Sequence, residues 1–419
     1  MSWVLVVFYI SLGAFIFYKW KKLHFTDLSP SFIVAVFLLK SILSIVYTLA
    51  HLRYHGGGDT FNFHKDGLII FETITENPIK YFMLCFGPNG LKIAPEFILK
   101  ETDAMGYWWD NSAYSVVRFY AITNLFTLGN IYASGIFMSF ITTVGLLLFY
   151  SIAANQFQQQ SMLIKVIVFG IPSVMFWTSG VHKEGLILTT LGVFFYSVYQ
   201  LSKKKFSFKF FVLLFVSSFA IWYIRDFVMY LLLPGAFAYL LCQIQSKYVL
   251  PKFITVYALT LILGLFIQFT IREKGEIYKA NVMESINLKQ QFFESLKGGN
   301  TAIEIDNFQP NLISAIKESP KAFFRTFCIP FYLPSFNKYQ VVFVLENVFM
   351  ILLLAFMLYN SKIKFLHFQP LSLWYFLFAV SLMVLIGIVV SNIGASIRYR
   401  SVPLLIFFLS IPHVLSNKK

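Results

Sequence analysis

Long runs of apolar residues constrain this chain more than any other feature. Roughly 2–18, 31–51, 131–152, 163–180, 184–201, 210–224, 227–244, 252–271, 340–359, 370–391 and 402–416 each carry at most one charged side chain. A helix needs about 20 such residues to cross the hydrocarbon core of a bilayer. Lipid offers no partner to backbone N–H and C=O groups, so each run must close its own hydrogen bonds as a helix. A soluble exterior is excluded by supply: 13% of the residues are charged and 58% are apolar, where soluble domains carry about 25% charge. The expected fold is all-α: a polytopic integral membrane protein with about 11 transmembrane helices, a single membrane domain over residues 1–419. The lipid bilayer is its first partner.

Charge gives the spans a direction. Alternate connections hold Lys19, Lys21 and Lys22; Lys203, Lys204, Lys205 and Lys209; Lys247 and Lys252; Lys362 and Lys364; and Lys418 and Lys419, with Asp27 the one acid among them. Short basic loops stay cytoplasmic, which puts the N-terminus outside and the C-terminus inside. The first run precedes Lys19 and lacks a small-residue cleavage site, so it reads as a retained span and not a signal peptide.

The opposite face has a different chemistry. Two long polar segments, 52–130 and 272–339, hold fifteen of the nineteen acidic residues. All seven arginines (Arg53, Arg118, Arg225, Arg272, Arg325, Arg398 and Arg400) map to that outer side. Topology needs only positive charge, which Lys supplies, whereas Arg adds a planar fork suited to phosphate or carboxylate. The pattern points to an outer face that handles anions; the alternative is chance placement in a Lys-rich chain. The net charge of +15 belongs to these features. No DNA- or RNA-binding motif accompanies it, and nucleic acid is not an expected partner. Cys85, Cys242 and Cys328 form neither a disulfide scaffold nor a metal-ligand spacing.

The first outer segment opens with His55-Gly56-Gly57-Gly58-Asp59-Thr60-Phe61-Asn62-Phe63-His64-Lys65-Asp66. The glycines allow a sharp turn out of the second span and place Asp59 at the membrane edge before a helical stretch. A carboxylate there can take a proton from an attacking hydroxyl or hold a metal, with His55 and His64 assisting. The competing reading is that Asp59 caps the following helix. Residues 68–86 and 113–128 have the apolar–polar pattern of helices lying in the interface. The run Gly106-Tyr107-Trp108-Trp109-Asp110-Asn111 reads as an interfacial aromatic anchor.

Pro172-Ser173-Val174-Met175-Phe176-Trp177-Thr178-Ser179-Gly180-Val181-His182-Lys183-Glu184-Gly185 joins the fourth and fifth spans. Pro172 should kink the fourth helix. The fifth then begins at His182, Lys183 and Glu184, where free N–H groups and the helix dipole favour an anion. A solvated hairpin tip is the alternative. In the second outer segment, Ser319-Pro320-Lys321-Ala322-Phe323-Phe324-Arg325-Thr326-Phe327 precedes Glu346-Asn347 of the ninth span. Arg325 there either binds a lipid phosphate or snorkels to headgroups. The last hairpin carries Arg398-Tyr399-Arg400-Ser401-Val402-Pro403. Pro403 suits a first helical turn, which would set both arginines just before a helix N-terminus. Lys40 lies inside the second span with no partner that the sequence reveals.

Asp59 in a first large outer loop, interfacial helices after it, and Arg398-Tyr399-Arg400 with Pro403 before the last helix together resemble the GT-C superfamily. These are polytopic glycosyltransferases that use polyprenyl-phosphate-linked sugars. The segments around 172–185 and 319–347 look like those of bacterial membrane proteins associated with cell-surface polysaccharide synthesis. The resemblance implies transfer of a sugar from a polyprenyl-phosphate-linked donor to a glycan or lipid acceptor at the outer face of a bacterial cytoplasmic membrane. Asp59 would then be the general base, or the ligand of a divalent metal ion. Arg398 and Arg400 would hold the donor phosphate with Lys183 and Arg325, supported by His182, Glu184, Tyr399 and Asp66. Many members pair two acids in this loop, whereas Thr60 follows Asp59 here, so Asp66, Asp103 or Asp110 would have to substitute. A surface-polysaccharide polymerase or ligase would use similar chemistry. A flippase or transporter of lipid-linked sugars predicts charges deep within several spans, and Lys40 alone fits.

Overall fold

The apolar runs become helices, and the second of them starts at a side-chain cap. Ser29, in extended backbone, accepts from the N–H of Phe32, and Pro30 takes the first turn behind it, where its missing N–H costs nothing. The computed structural model describes residues 2–20, 27–90, 95–157, 161–203, 207–245, 247–273, 282–295, 305, 309–329, 331, 341–359 and 369–411, without the side chains of 2, 54–55, 265 and 267–273. In chain order the helices are α1 (Ser2–Lys19), α2 (Pro30–His55), α3 (Gly58–Glu76), α4 (Pro78–Phe86), α5 (Leu99–Ala104) and α6 (Asn111–Thr127). There follow α7 (Ile131–Gln156), α8 (Ser161–Gly170), α9 (Pro172–Trp177), α10 (Lys183–Ser202), α11 (Phe208–Ile224) and α12 (Asp226–Ile244). Last come α13 (Val249–Glu273), α14 (Val282–Ser295), α15 (Leu312–Cys328), α16 (Val341–Tyr359), α17 (Pro370–Val389) and α18 (Ile393–Leu409). Among the described residues there is no strand.

Six of these helices are long and apolar enough to cross a membrane: α2 over Pro30–Arg53, α7, α10, α12, α16 and α17. Shorter apolar helices occupy Trp3–Lys19, Ser161–Gly170, Phe208–Ile224 and Val249–Gly264. The chain is an all-α, multi-pass membrane protein. The expected span at 163–180 is divided: α8 ends at Gly170, Pro172 opens α9, and the backbone turns between Trp177 and Lys183. Proline removes a helix hydrogen bond and crowds the preceding turn, so the break falls where the sequence places it. The expected span at 402–416 overlaps the second half of α18, and 412–416 lies outside the described residues.

The contacts divide the chain into two compact units: Met1–Asn155 with Val174–Phe227, and Gln156–Ser173 with Val228–Lys419. In the first unit, α3 to α6 form a layer with its own core. Phe63, Ile70, Tyr81, Leu84, Trp108, Tyr114, Val117 and Tyr120 are buried together. Helices α3 and α6 approach so closely that a Cβ on Gly67 would lie 2.5 Å from that of Tyr120. The stretch 68–86 is two helices, because Asn77 ends α3 and caps α4 by accepting from the N–H of Ile79 at 3.0 Å.

In the second unit, α17 is the packing centre. Thr326 on α15 donates to the Met383 carbonyl at 2.9 Å, and a Cβ on Gly387 would meet the Ala322 carbonyl oxygen at 2.1 Å. Trp374 donates to the Leu232 carbonyl at 3.2 Å. One expectation is corrected here. Pro403 lies inside α18 and not in its first turn, because Asn392 caps the helix earlier by accepting from the N–H of Ala395 at 3.1 Å. Arg398 and Arg400 are therefore helix-interior residues.

Candidate functional site

Asp59 reaches the surface because three consecutive glycines, Gly56, Gly57 and Gly58, all adopt positive φ and turn the chain from α2 into α3. Side-chain-bearing residues rarely take that conformation. Asp59 is exposed and sits in the first turn of α3, while the cap position belongs to Gly57 and has no side-chain cap bond. The carboxylate therefore does not cap its helix. Its oxygen Oδ1 accepts from the phenol of Tyr107 at 3.1 Å.

Tyr107 is itself held from behind. Asp66, two turns along α3 and buried, accepts the Tyr107 N–H at Oδ2 over 2.9 Å. Burial raises the Asp66 carboxyl above the usual range, against the lowering effect of the Tyr107 and Gly106 N–H groups and of Lys65. Burial, then the neighbouring Asp59 carboxylate, also raises the Tyr107 phenol. That phenol stays protonated and serves as a donor. Asp66 thus acts on the site through Tyr107.

The same turn connects to the start of α10. Asp110 caps α6 by accepting from the N–H of Ala113 at 3.0 Å, and its other oxygen lies 3.8 Å from Lys183 Nζ. Behind Lys183, the fully buried Glu184 joins two partners: Arg225 donates to Oε1 at 2.6 Å, and His182 Nδ1 pairs with Oε2. The Lys183 N–H also lies 2.9 Å from His182 Nδ1, which makes His182 the cap residue of α10. The Phe63 ring lies between the two halves, 4.6 Å from the Tyr107 ring and 5.6 Å from His182. An exposed carboxylate and a lysine are thereby referred to one rigid turn, Tyr107–Asp110.

His64 has a different task. Its Nε2 donates to the Gly129 carbonyl at 3.0 Å, its ring stands edge-on to Tyr120, and burial lowers its pKa to about 4. It ties α3 to the turn before α7 and is neutral near pH 7, a poor proton acceptor for Asp59 chemistry. His55 ends α2, and its side chain lies outside the described residues.

The arginines expected at a donor phosphate lie in the second unit, where two of the three serve the fold. Arg400 is fully buried and donates to the carbonyls of Thr326, Phe327 and Ile329 at 3.3, 3.0 and 2.7 Å. These are orphan acceptors at the C-terminal end of α15. Its charge is balanced by Glu346 at 3.5 Å, which also accepts the Ser173 N–H at 2.7 Å, while Asn347 donates to the Ile329 carbonyl. Arg325 is buried and donates to the Gly387 carbonyl at 2.7 Å. Arg398 is half-buried and lies over the Tyr399 ring, 5.1 Å from its centroid.

Among the described residues no three His, Cys, Asp or Glu side chains gather where they could hold a metal ion. Among those residues, Asp59 has Tyr107 as its hydrogen-bond donor. All three cysteines are free. Sequence reasoning missed Tyr107, Arg225 as the partner of Glu184, and the cap at Asp110. The signal for Tyr107 was its place beside two tryptophans in a short polar turn. No protein-family model, curated protein or solved structure matches this chain.

Proposed function

We propose that this chain is a membrane glycosyltransferase that moves a sugar from a polyprenyl-phosphate-linked donor to a glycan or lipid acceptor. It works at the outer face of a bacterial cytoplasmic membrane. The observation that carries the reading is the exposed carboxylate of Asp59 outside the apolar helices, oriented by Tyr107 and sharing one turn with Lys183. Asp59 takes the proton of the acceptor hydroxyl as its oxygen bonds to the anomeric carbon. The bond from that carbon to the phosphate oxygen breaks, and its electron pair leaves with the polyprenyl phosphate. Lys183 places positive charge where that negative charge develops, the contribution that most lowers such a barrier. His182, Glu184 and Arg225 fix the start of α10 and so the position of Lys183. Lysine-only connections on one side of the spans and acid-rich segments on the other support an outside N-terminus and a cytoplasmic C-terminus.

The test is direct. Purified chain in lipid vesicles is offered a panel of radiolabelled polyprenyl-phosphate hexoses with oligosaccharide and lipid-alcohol acceptors. Labelled acceptor and free polyprenyl phosphate should form in equal amounts. Failure of every donor to turn over would overturn the proposal.

A further inference from the structure

The turn Gly106–Asn111 is built more firmly than a membrane anchor requires. Asp66 holds the Tyr107 N–H at 2.9 Å, Asn89 donates to the Trp108 carbonyl at 3.0 Å and to Asn111 Oδ1 at 2.7 Å, and Tyr223 donates to Asn89 at 2.7 Å. Trp108 is 1% exposed and forms part of the core under the turn. Trp109, the next residue, is 62% exposed. The other exposed tryptophans, Trp3, Trp20 and Trp222, lie on apolar helices or at the end of one. Trp109 is in no apolar helix, and the residues that follow it at the surface are Asp110 and Asn111.

An aromatic face beside a carboxylate and an amide matches the two surfaces of a pyranose. The C–H groups on one face of the sugar pack on an indole ring, and its hydroxyls need polar acceptors at the edge. A pinned backbone lowers the ordering cost of binding such a ligand. We infer that the Gly106–Asn111 turn is a carbohydrate-binding platform, with a sugar ring of the acceptor stacked on Trp109 and hydroxyls accepted by Asp110. This inference rests on the transferase reading for the word acceptor, and it narrows that acceptor to a glycan. Sugar binding at Trp109 needs no turnover.

The test uses the full chain in nanodiscs with 5-fluorotryptophan at position 109, titrated with gluco-, galacto- and manno-configured oligosaccharides. The expected result is a saturable fluorine shift with at least one of them. Affinity should fall about tenfold or more in Asp110→Ala, read by the same probe. In unlabelled protein, binding should be lost in Trp109→Ala and retained in part in Trp109→Phe, which keeps an aromatic face and controls for folding. A label that no sugar shifts, or one broadened by spin-labelled lipid and indifferent to sugar, overturns the platform and makes Trp109 a bilayer anchor. Transfer activity without a Trp109 response would defeat this inference alone. A Trp109 response without any transfer would defeat the transferase reading alone.

Discussion

The buried carboxylate of Asp66 accepts the backbone N–H of Tyr107 at 2.9 Å, and through that bond it sets where the Tyr107 phenol meets Asp59. One acid holds the arm and the other receives its hydroxyl. Asp66 reaches Asp59 only through Tyr107.

Removing the phenol separates these roles. Tyr107→Phe keeps the ring packed on Phe63 and loses the hydrogen bond to Asp59. Transfer should slow about tenfold, the worth of one hydrogen bond to a charged acceptor, with donor KM unchanged. A full loss of folded protein would instead mark Tyr107 as a packing residue.

Acidity should act on this layer through His64. Burial lowers its pKa from 6.5 to about 4, so the unfolded chain binds a proton in that interval that the folded chain refuses. The contribution is whole above pH 6.5 and falls away as pH drops toward 4, by up to about 3 kcal/mol. Asp66 has the opposite sense. Its raised pKa makes the folded state the better proton binder, so its ionisation costs stability as pH rises from 3.8 through the raised value. Thermal unfolding in detergent from pH 4 to pH 7 should flatten for His64→Gln at the acid end. An unchanged profile would remove His64 from the account.

The Arg400–Glu346 pair should behave as a structural knot. Arg400→Met removes the donor shared by three carbonyls and leaves the buried Glu346 carboxylate without its counter-charge, a cost of about 3–5 kcal/mol. Glu346→Gln, whose amide oxygen still accepts the Ser173 N–H, should cost less. Melting temperatures of the two variants in detergent rank them; the reverse order would contradict the assignment.

Gly180 makes a sharper claim about packing. A Cβ there would stand 2.1 Å from the Tyr47 ring, so Gly180→Ala should destabilise the first unit by about 1–3 kcal/mol. Trimming the ring with Tyr47→Leu should restore part of that loss, measured as a double-mutant cycle on thermal unfolding.

The fold was largely legible because its cause is local. Apolar length gave the helices, and Pro172 marked a real break. Pro403 misled, since proline also fits inside a helix that neighbours support, and Asn392 was the cap that mattered. The site was legible only as residue types. Asp59 could be found from its glycines, but Tyr107 is remote from it in sequence and no periodicity joins them. The arginines show the deeper limit. A guanidinium donates equally well to a phosphate or to the carbonyls ending a helix, so the sequence could flag Arg325 and Arg400 without telling which they serve.

If Asp59 is the base for sugar transfer, replacing its carboxylate with an amide should stop the chemistry and spare donor binding. Wild-type chain and Asp59→Asn, each in vesicles with a polyprenyl-phosphate hexose that the wild type uses, are followed for release of polyprenyl phosphate in a single turnover. The variant should bind donor, unfold at the wild-type temperature and transfer at least about a hundredfold more slowly. Equal rates from the two proteins would contradict it.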